Sequence, residues 1–91
     1  MPLYKYLDFE PTIGEDTFFA PTSVVIGRAE ISKNVNIWFN CVIRADVNFI
    51  SIGEGTNIQD LSMLHVTEVN PLVIGAGVTV GHSVILHGCE I

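Results

Sequence analysis

The sequence predicts an all-β protein built as a parallel β-helix of about four coils. Three observations carry that prediction: a large apolar residue recurs every sixth position, a small or branched one sits four places after it, and the 3.6-residue helical period is missing. Steps of six from Ile13 land on Phe19, Val25, Ile31, Ile37, Ile43 and Phe49. A second register runs Ile52, Ile58, Leu64, and a third runs Ile74, Val80, Leu86. Four places after these anchors stand Ser23, Ala29, Val35, Cys41, Val47, Thr56, Ser62, Val78 and Val84. Six residues make one short strand and one turn, and three such rungs close a triangular coil with the large residue pointing inward. Each coil packs only on its neighbours. A β-sandwich would need strict alternation with turn signals every 8–12 residues, and these are absent.

The elements follow in order. Residues 1–12, with Pro2 and Pro11, read as a lead-in strand or cap, and residues 13–91 as hexapeptide coils of the same single domain. The anchors distribute over three faces: Val25, Ile43, Leu64 and Leu86 on the first, Ile31, Ile52 and Ile74 on the second, Ile37, Ile58 and Val80 on the third. Ile43 to Ile52 is nine residues, so three extra residues lie near "DVNFIS"; Leu64 to Ile74 is ten, so four lie near "TEVNP", where Asn70 and Pro71 suit a turn. Gly14, Gly53, Gly75 and Gly81 follow their anchors directly, where a corner would use their free backbone. The chain ends with a coil just begun and no polar cap, so an open C-terminal end is expected, and with it the N-terminal half of a longer protein.

Composition narrows the function. The net charge is -6 with four basic residues, Lys5, Arg28, Lys33 and Arg44, so a nucleic-acid footprint is absent. No run of 18 apolar residues and no basic-then-apolar leader occur, which predicts no membrane span and a cytoplasmic address. Hydrophobic residues make up 48% against 15% charged, which on so small a body favours burial between subunits as well as within one. Cys41 and Cys89 read as small buried residues.

The polar residues then fall into place on the coil. Arg44, His65 and His87 each follow a first-face anchor, so they form a column, about 4.8 Å apart along the stack. His82 is two past Val80 on another face, which need not converge with that column in the same chain; a neighbouring subunit could supply it as a third ligand, and a threefold trimer would repeat such a site three times. Three imidazoles with an open position suit a catalytic zinc, and iron, cobalt, nickel or copper are also compatible.

The segments "RADV", "NIQD", "LHV" and "GHSVILHG" resemble the gamma-class carbonic anhydrases and their close relatives, from about Phe19 to the end of the chain. That resemblance implies a left-handed β-helix in a homotrimer and reversible hydration of carbon dioxide to bicarbonate by a metal, Zn2+ with Fe2+ or Co2+ as substitutes. It implies His65 and His87 as ligands from one subunit and His82 from the next, and Arg44 with Asp46 as a pair at the subunit interface. Asn57, Gln59 and Asp60 match polar residues around the reacting water, with Gln59 orienting it. Glu68 is the one candidate to pass protons to solvent; it serves equally as a solvated loop charge. Asn57 also suits a turn, Asp60 a corner cap, and Trp38 and Phe39 the core or a subunit contact. Family members run to about twice this length, so catalytic or shuttle groups beyond Ile91 are missing and activity is expected to be weak or lost. Two other functions remain open: an acyltransferase using a histidine base, and a non-catalytic assembly or metal-binding subunit.

Overall fold

The computed structural model describes residues 2–91 and contains strands only. Every strand pair is parallel, and partners come from successive coils. The long strands β4 (Val24–Ile31) and β6 (Val42–Ile52) run across two faces without a break. They gather β1 (Leu3–Tyr4), β2 (Thr12–Ile13), β8 (Met63–His65), β9 (Leu72–Ile74) and β11 (Ile85–His87) into one sheet of seven strands. The third face is a separate sheet of β3 (Phe18–Phe19), β5 (Asn36–Ile37), β7 (Asn57–Ile58) and β10 (Thr79–Val80). The fold is the expected parallel solenoid of about four turns.

The register agrees with the three faces read from the spacing. Val25 pairs with Ile43, Ile43 with Leu64, and Leu64 with Leu86. Ile31, Ile52 and Ile74 stack on the second face, and Phe19, Ile37, Ile58 and Val80 on the third. Ile37, Ile43, Ile52, Ile58 and Leu64 are fully buried, so the inward row is the core. Burying each isoleucine or leucine contributes roughly 1.5–3 kcal/mol.

One position expected inside, Phe49, lies outside. The register shifts where Gly27 pairs with Ala45 but Ala29 with Ile50, which places the first insertion at Asp46 to Phe49. Val47 and Phe49 therefore stand on a bulge within β6, 44% and 37% exposed, and Ile50 takes the inward position ahead of the anchor Ile52. The insertion, not the six-residue count, sets their side. The second insertion is a turn after His65, closed by Thr67 N–H donating to Asn70 O and Asn70 N–H donating to the Thr67 hydroxyl.

The glycines that follow anchors have a different role from the expected one. Gly14, Gly53, Gly75 and Gly81 are not among the residues of positive φ. A Cβ on Gly14 would lie 2.5 Å from Lys33 N, and one on Gly53 2.5 Å from Ala76 N. These two allow the next coil to approach closely. Left-handed backbone recurs three places after an anchor, at Asp16, Asn34, Gly55 and Gly77 on one corner and Asn40, Leu61 and Ser83 on another, and occurs also at Leu7, Gly27 and Gly88. Asn, Asp and Gly accept that conformation readily; Leu61, at φ 68° and 59% exposed, does so at a steric cost of roughly 1–2 kcal/mol.

Buried polar groups in the wall are satisfied. Thr56 donates to Gly75 O at 2.7 Å, Ser62 to Gly81 O at 2.9 Å and Ser23 to Ala20 O at 2.7 Å. Cys41 is buried with its thiol directed at Gln59 O, 3.0 Å away, and burial pushes its pKa up despite backbone hydrogen bonds that oppose the shift. Cys89, expected to be buried as well, is only partly covered. No helix among the described residues is long and apolar enough to cross a membrane.

Two substitutions test this account by urea unfolding. Gly53→Ala should lose about 1–3 kcal/mol, because backbone must give way to the new methyl. Leu61→Asn should gain about 1 kcal/mol by relieving the left-handed leucine. Equal behaviour of the two variants would contradict the separate roles assigned to close approach and to torsion.

Candidate functional site

The first face carries the column expected from the spacing. β6 and β8 pair Ile43 with Leu64, so Arg44 lies beside His65, and β11 pairs His87 directly with His65. The two imidazoles are tilted by 58° with centroids 4.9 Å apart, the separation of neighbouring strands. Strand alternation buries Ala45 and turns both Arg44 and Asp46 outward. Asp46 then meets His65: Nε2 and Oδ1 are 3.0 Å apart. Arg44 Nε lies 3.4 Å from Asp46 Oδ2, and its Nη2 lies 3.5 Å from His65 Nδ1.

One tautomer of neutral His65 suits both contacts. A guanidinium has donors only, so Nδ1 of neutral His65 takes the accepting role and Nε2–H donates to Asp46. Burial works to raise the Asp46 pKa. The Val47 N–H donated to Oδ1, together with the hydrogen bond from His65, outweighs it and holds the carboxyl below its ordinary value. Arg44 and Asp46, the pair that the resemblance assigns to the subunit interface, lie side by side in the chain itself.

Face three carries the second group. Ile58 pairs with Val80, so Asp60 and His82, each two places further on, occupy one corner column. Their Oδ1 and Nδ1 are 3.5 Å apart, and His82 is 67% exposed. Trp38, Asn57, Gln59, Asp60 and His82 line a cleft of about 250 Å³. Trp38 Nε1–H donates to Asn57 Oδ1 at 2.6 Å. Asn57, Gln59 and Asp60 are thus brought together with His82, and not with His65 and His87. Among the described residues no three His, Cys, Asp or Glu side chains of one chain converge on a point.

Glu68 is exposed on the turn after His65. Two residues escaped the sequence reading as site members. Asn48, in the first insertion, donates from Nδ2 to Thr67 O at 3.3 Å and to Glu68 O at 3.2 Å, tying the two insertions together. Trp38 lines the cleft. Its signal was available, since it follows Ile37 as Gln59 follows Ile58.

A stack of parallel hexapeptide rungs carrying imidazoles in register defines a hexapeptide-repeat β-solenoid with a candidate metal centre. The comparisons agree with the fold. The chain is 46% identical to "Gamma carbonic anhydrase 2, mitochondrial" of Arabidopsis thaliana, over 98% of its own length and 34% of that protein. It is 50% identical to "Protein YrdA" of Escherichia coli, over 98% and 52%. A crystal structure of a hexapeptide transferase family protein from Anaplasma phagocytophilum superposes with a TM-score of 0.92 at 43% identity, covering 97% of this chain and 51% of that one. No protein-family model matches the sequence. Over 87–98% of its length the chain is 38–47% identical to proteins named gamma carbonic anhydrase or carbonic anhydrase. It spans between about a third and a half of the length of the relatives it matches.

The depressed Asp46 pKa has a consequence for stability. A carboxyl whose folded pKa lies below its unfolded value stabilises the fold above the unfolded pKa, about 3.9, and loses that contribution as pH falls through the folded one. In metal-free protein, the melting temperature of Asp46→Asn should lie below that of wild type at pH 7, with the gap closing below about pH 3.9. A gap that widens toward acid pH would contradict the assignment.

Proposed function

We propose that the chain contributes to a metal-dependent carbonic anhydrase, with each metal held between two copies of a homotrimer by His65 and His87 of one chain and His82 of another. The observation that supports it most is the pairing of His87 with His65 on adjacent rungs, with a carboxylate and a guanidinium arranged around His65. The donor set fits a divalent metal such as zinc, iron or cobalt: neutral imidazoles, one of which has its other ring N–H held by Asp46. Arg44, at 3.5 Å from Nδ1, is the contact that a cation would displace.

When bound, the metal would supply the Lewis acidity that makes water nucleophilic toward carbon dioxide near neutral pH. The chain's own groups do the rest. Asp46 fixes the tautomer and orientation of His65, and Asp60 faces Nδ1 of His82. Gln59 and Asn57 offer carboxamide donors to the oxygens of water or bicarbonate. Glu68, exposed beside the site, passes protons to solvent. The trimer is supported by the position of His82, on a different face from His65 and His87, and by the apolar side chain of Ile85 beside the column, 74% exposed.

Metal analysis of the protein purified with zinc or, anaerobically, with iron should find about one metal per chain in a species of three chains. His82→Ala and His87→Ala should each reduce metal content by at least about tenfold, and stopped-flow hydration of carbon dioxide should fall with it. A metal-free wild-type trimer under these conditions would refute the proposal. The Asp60–His82 pair beside an open cleft favours one second reading, a histidine base acting on an acyl-coenzyme A donor. Calorimetric binding of coenzyme A, unaffected by removing metal, would support that reading against the first.

A further inference from the structure

We infer that Trp38 is a positioning residue that locks the carboxamide of Asn57, turning its Nδ2 hydrogens into the cleft beside Gln59, Asp60 and His82. The hydrogen bond from Trp38 Nε1–H to Asn57 Oδ1 is 2.6 Å long, short for an N–H···O contact. The indole nitrogen can only donate, so the atom facing it must be the amide oxygen. That leaves Nδ2, with two hydrogens, as the polar end that Asn57 offers elsewhere. The cleft is the space these residues share.

The indole itself is held from two sides. Its backbone N–H donates to Ile58 O at 3.0 Å, which places Trp38 directly over Gln59. Its ring packs on Phe18, with centroids 5.0 Å apart and planes at 51°, a tilted geometry that aromatic pairs favour. Asn57 is set by β7, with Asn36 and Thr79 as its neighbours in the ladder. An asparagine with a free side chain could present either oxygen or nitrogen to the cleft; with Trp38 in place it presents the donor. The cleft therefore has a fixed hydrogen-bond donor suited to an oxygen of water or of a small planar oxyanion. Without the lock, the same residue would present an acceptor for part of the time, which an oxyanion would disfavour.

Trp38 is the only tryptophan, so its indole N–H gives one unambiguous NMR signal. In the assembled, metal-loaded protein, hydrogen exchange of that N–H should be at least about tenfold faster in Asn57→Ala than in wild type. Equal rates would overturn the lock. Trp38→Phe keeps a ring against Phe18 and removes only the donor. It should lower kcat/KM for carbon dioxide hydration about tenfold at unchanged metal content and melting temperature. Asn57→Ala should lower it similarly, and the double variant no further than either single one. Full activity of Trp38→Phe, or additive losses in the double variant, would overturn the role. The effect on turnover rests on the carbonic anhydrase reading, whereas the exchange measurement does not. If fully metal-loaded wild type shows no hydration, that reading fails and the exchange rates alone decide the lock.

Discussion

Parallel stacking in register is the constraint on which everything else in this chain depends. Each coil donates and accepts backbone hydrogen bonds with the coils on either side, about 4.8 Å away. Equivalent rung positions are therefore forced into columns. His87 sits on His65 for the same reason that Leu86 sits on Leu64. A column of core residues and a column of polar residues are consequences of one ladder, and neither can shift by one residue without turning the core outward. The close approach at Gly14 and Gly53 belongs to the same constraint, since it lets the backbones meet where a side chain would hold them apart.

Repetition alone would make every coil alike, and the site arises where it is broken. Strand alternation turns Asp46 out beside His65, and the three residues added to the Ile43–Ile52 rung put Asn48 within reach of the next turn. The four added after Leu64 form the turn that carries Glu68. Because Asn48 donates to two carbonyls of that turn, the two insertions support each other across the coil boundary. The regular rungs fix where the imidazoles stand, and the irregular ones surround His65 with a carboxylate, a guanidinium and a loop.

Much of this was legible in the sequence because a six-residue period maps directly onto space. The three faces, both insertions, the Arg44–His65–His87 column and the separate placement of His82 all follow from counting. What counting could not resolve has physical causes. Phe49 and Val47 fit the period by number, yet the extra residues precede the point where the ladder resumes, so they face solvent. Glycine has two uses, free torsion and absence of a Cβ, and the sequence does not distinguish them; at Gly14 and Gly53 the second applies. Trp38 reads as core filler because its polar atom is a single N–H. Only the position of Asn57 on the next coil shows where that N–H goes.

The solenoid also explains why a site of this kind should lie between chains. Residues on one face of a prism can approach each other only along the column, and a column supplies ligands in a line about 4.8 Å apart. A metal with tetrahedral preferences needs donors from more than one direction. A second face of the same prism cannot provide them, because the buried core separates it from the first. A side chain from a neighbouring prism can, and His82 is suited to that by lying on an exposed corner with Asp60 at its Nδ1. In the proposed trimer each prism offers one face and one corner, so a single sequence serves both sides of every interface. The cleft lined by Trp38, Asn57 and Gln59 lies at that same corner. The residue that reaches across and the amides that meet the substrate would then move together, as one rigid edge brought against the imidazole column.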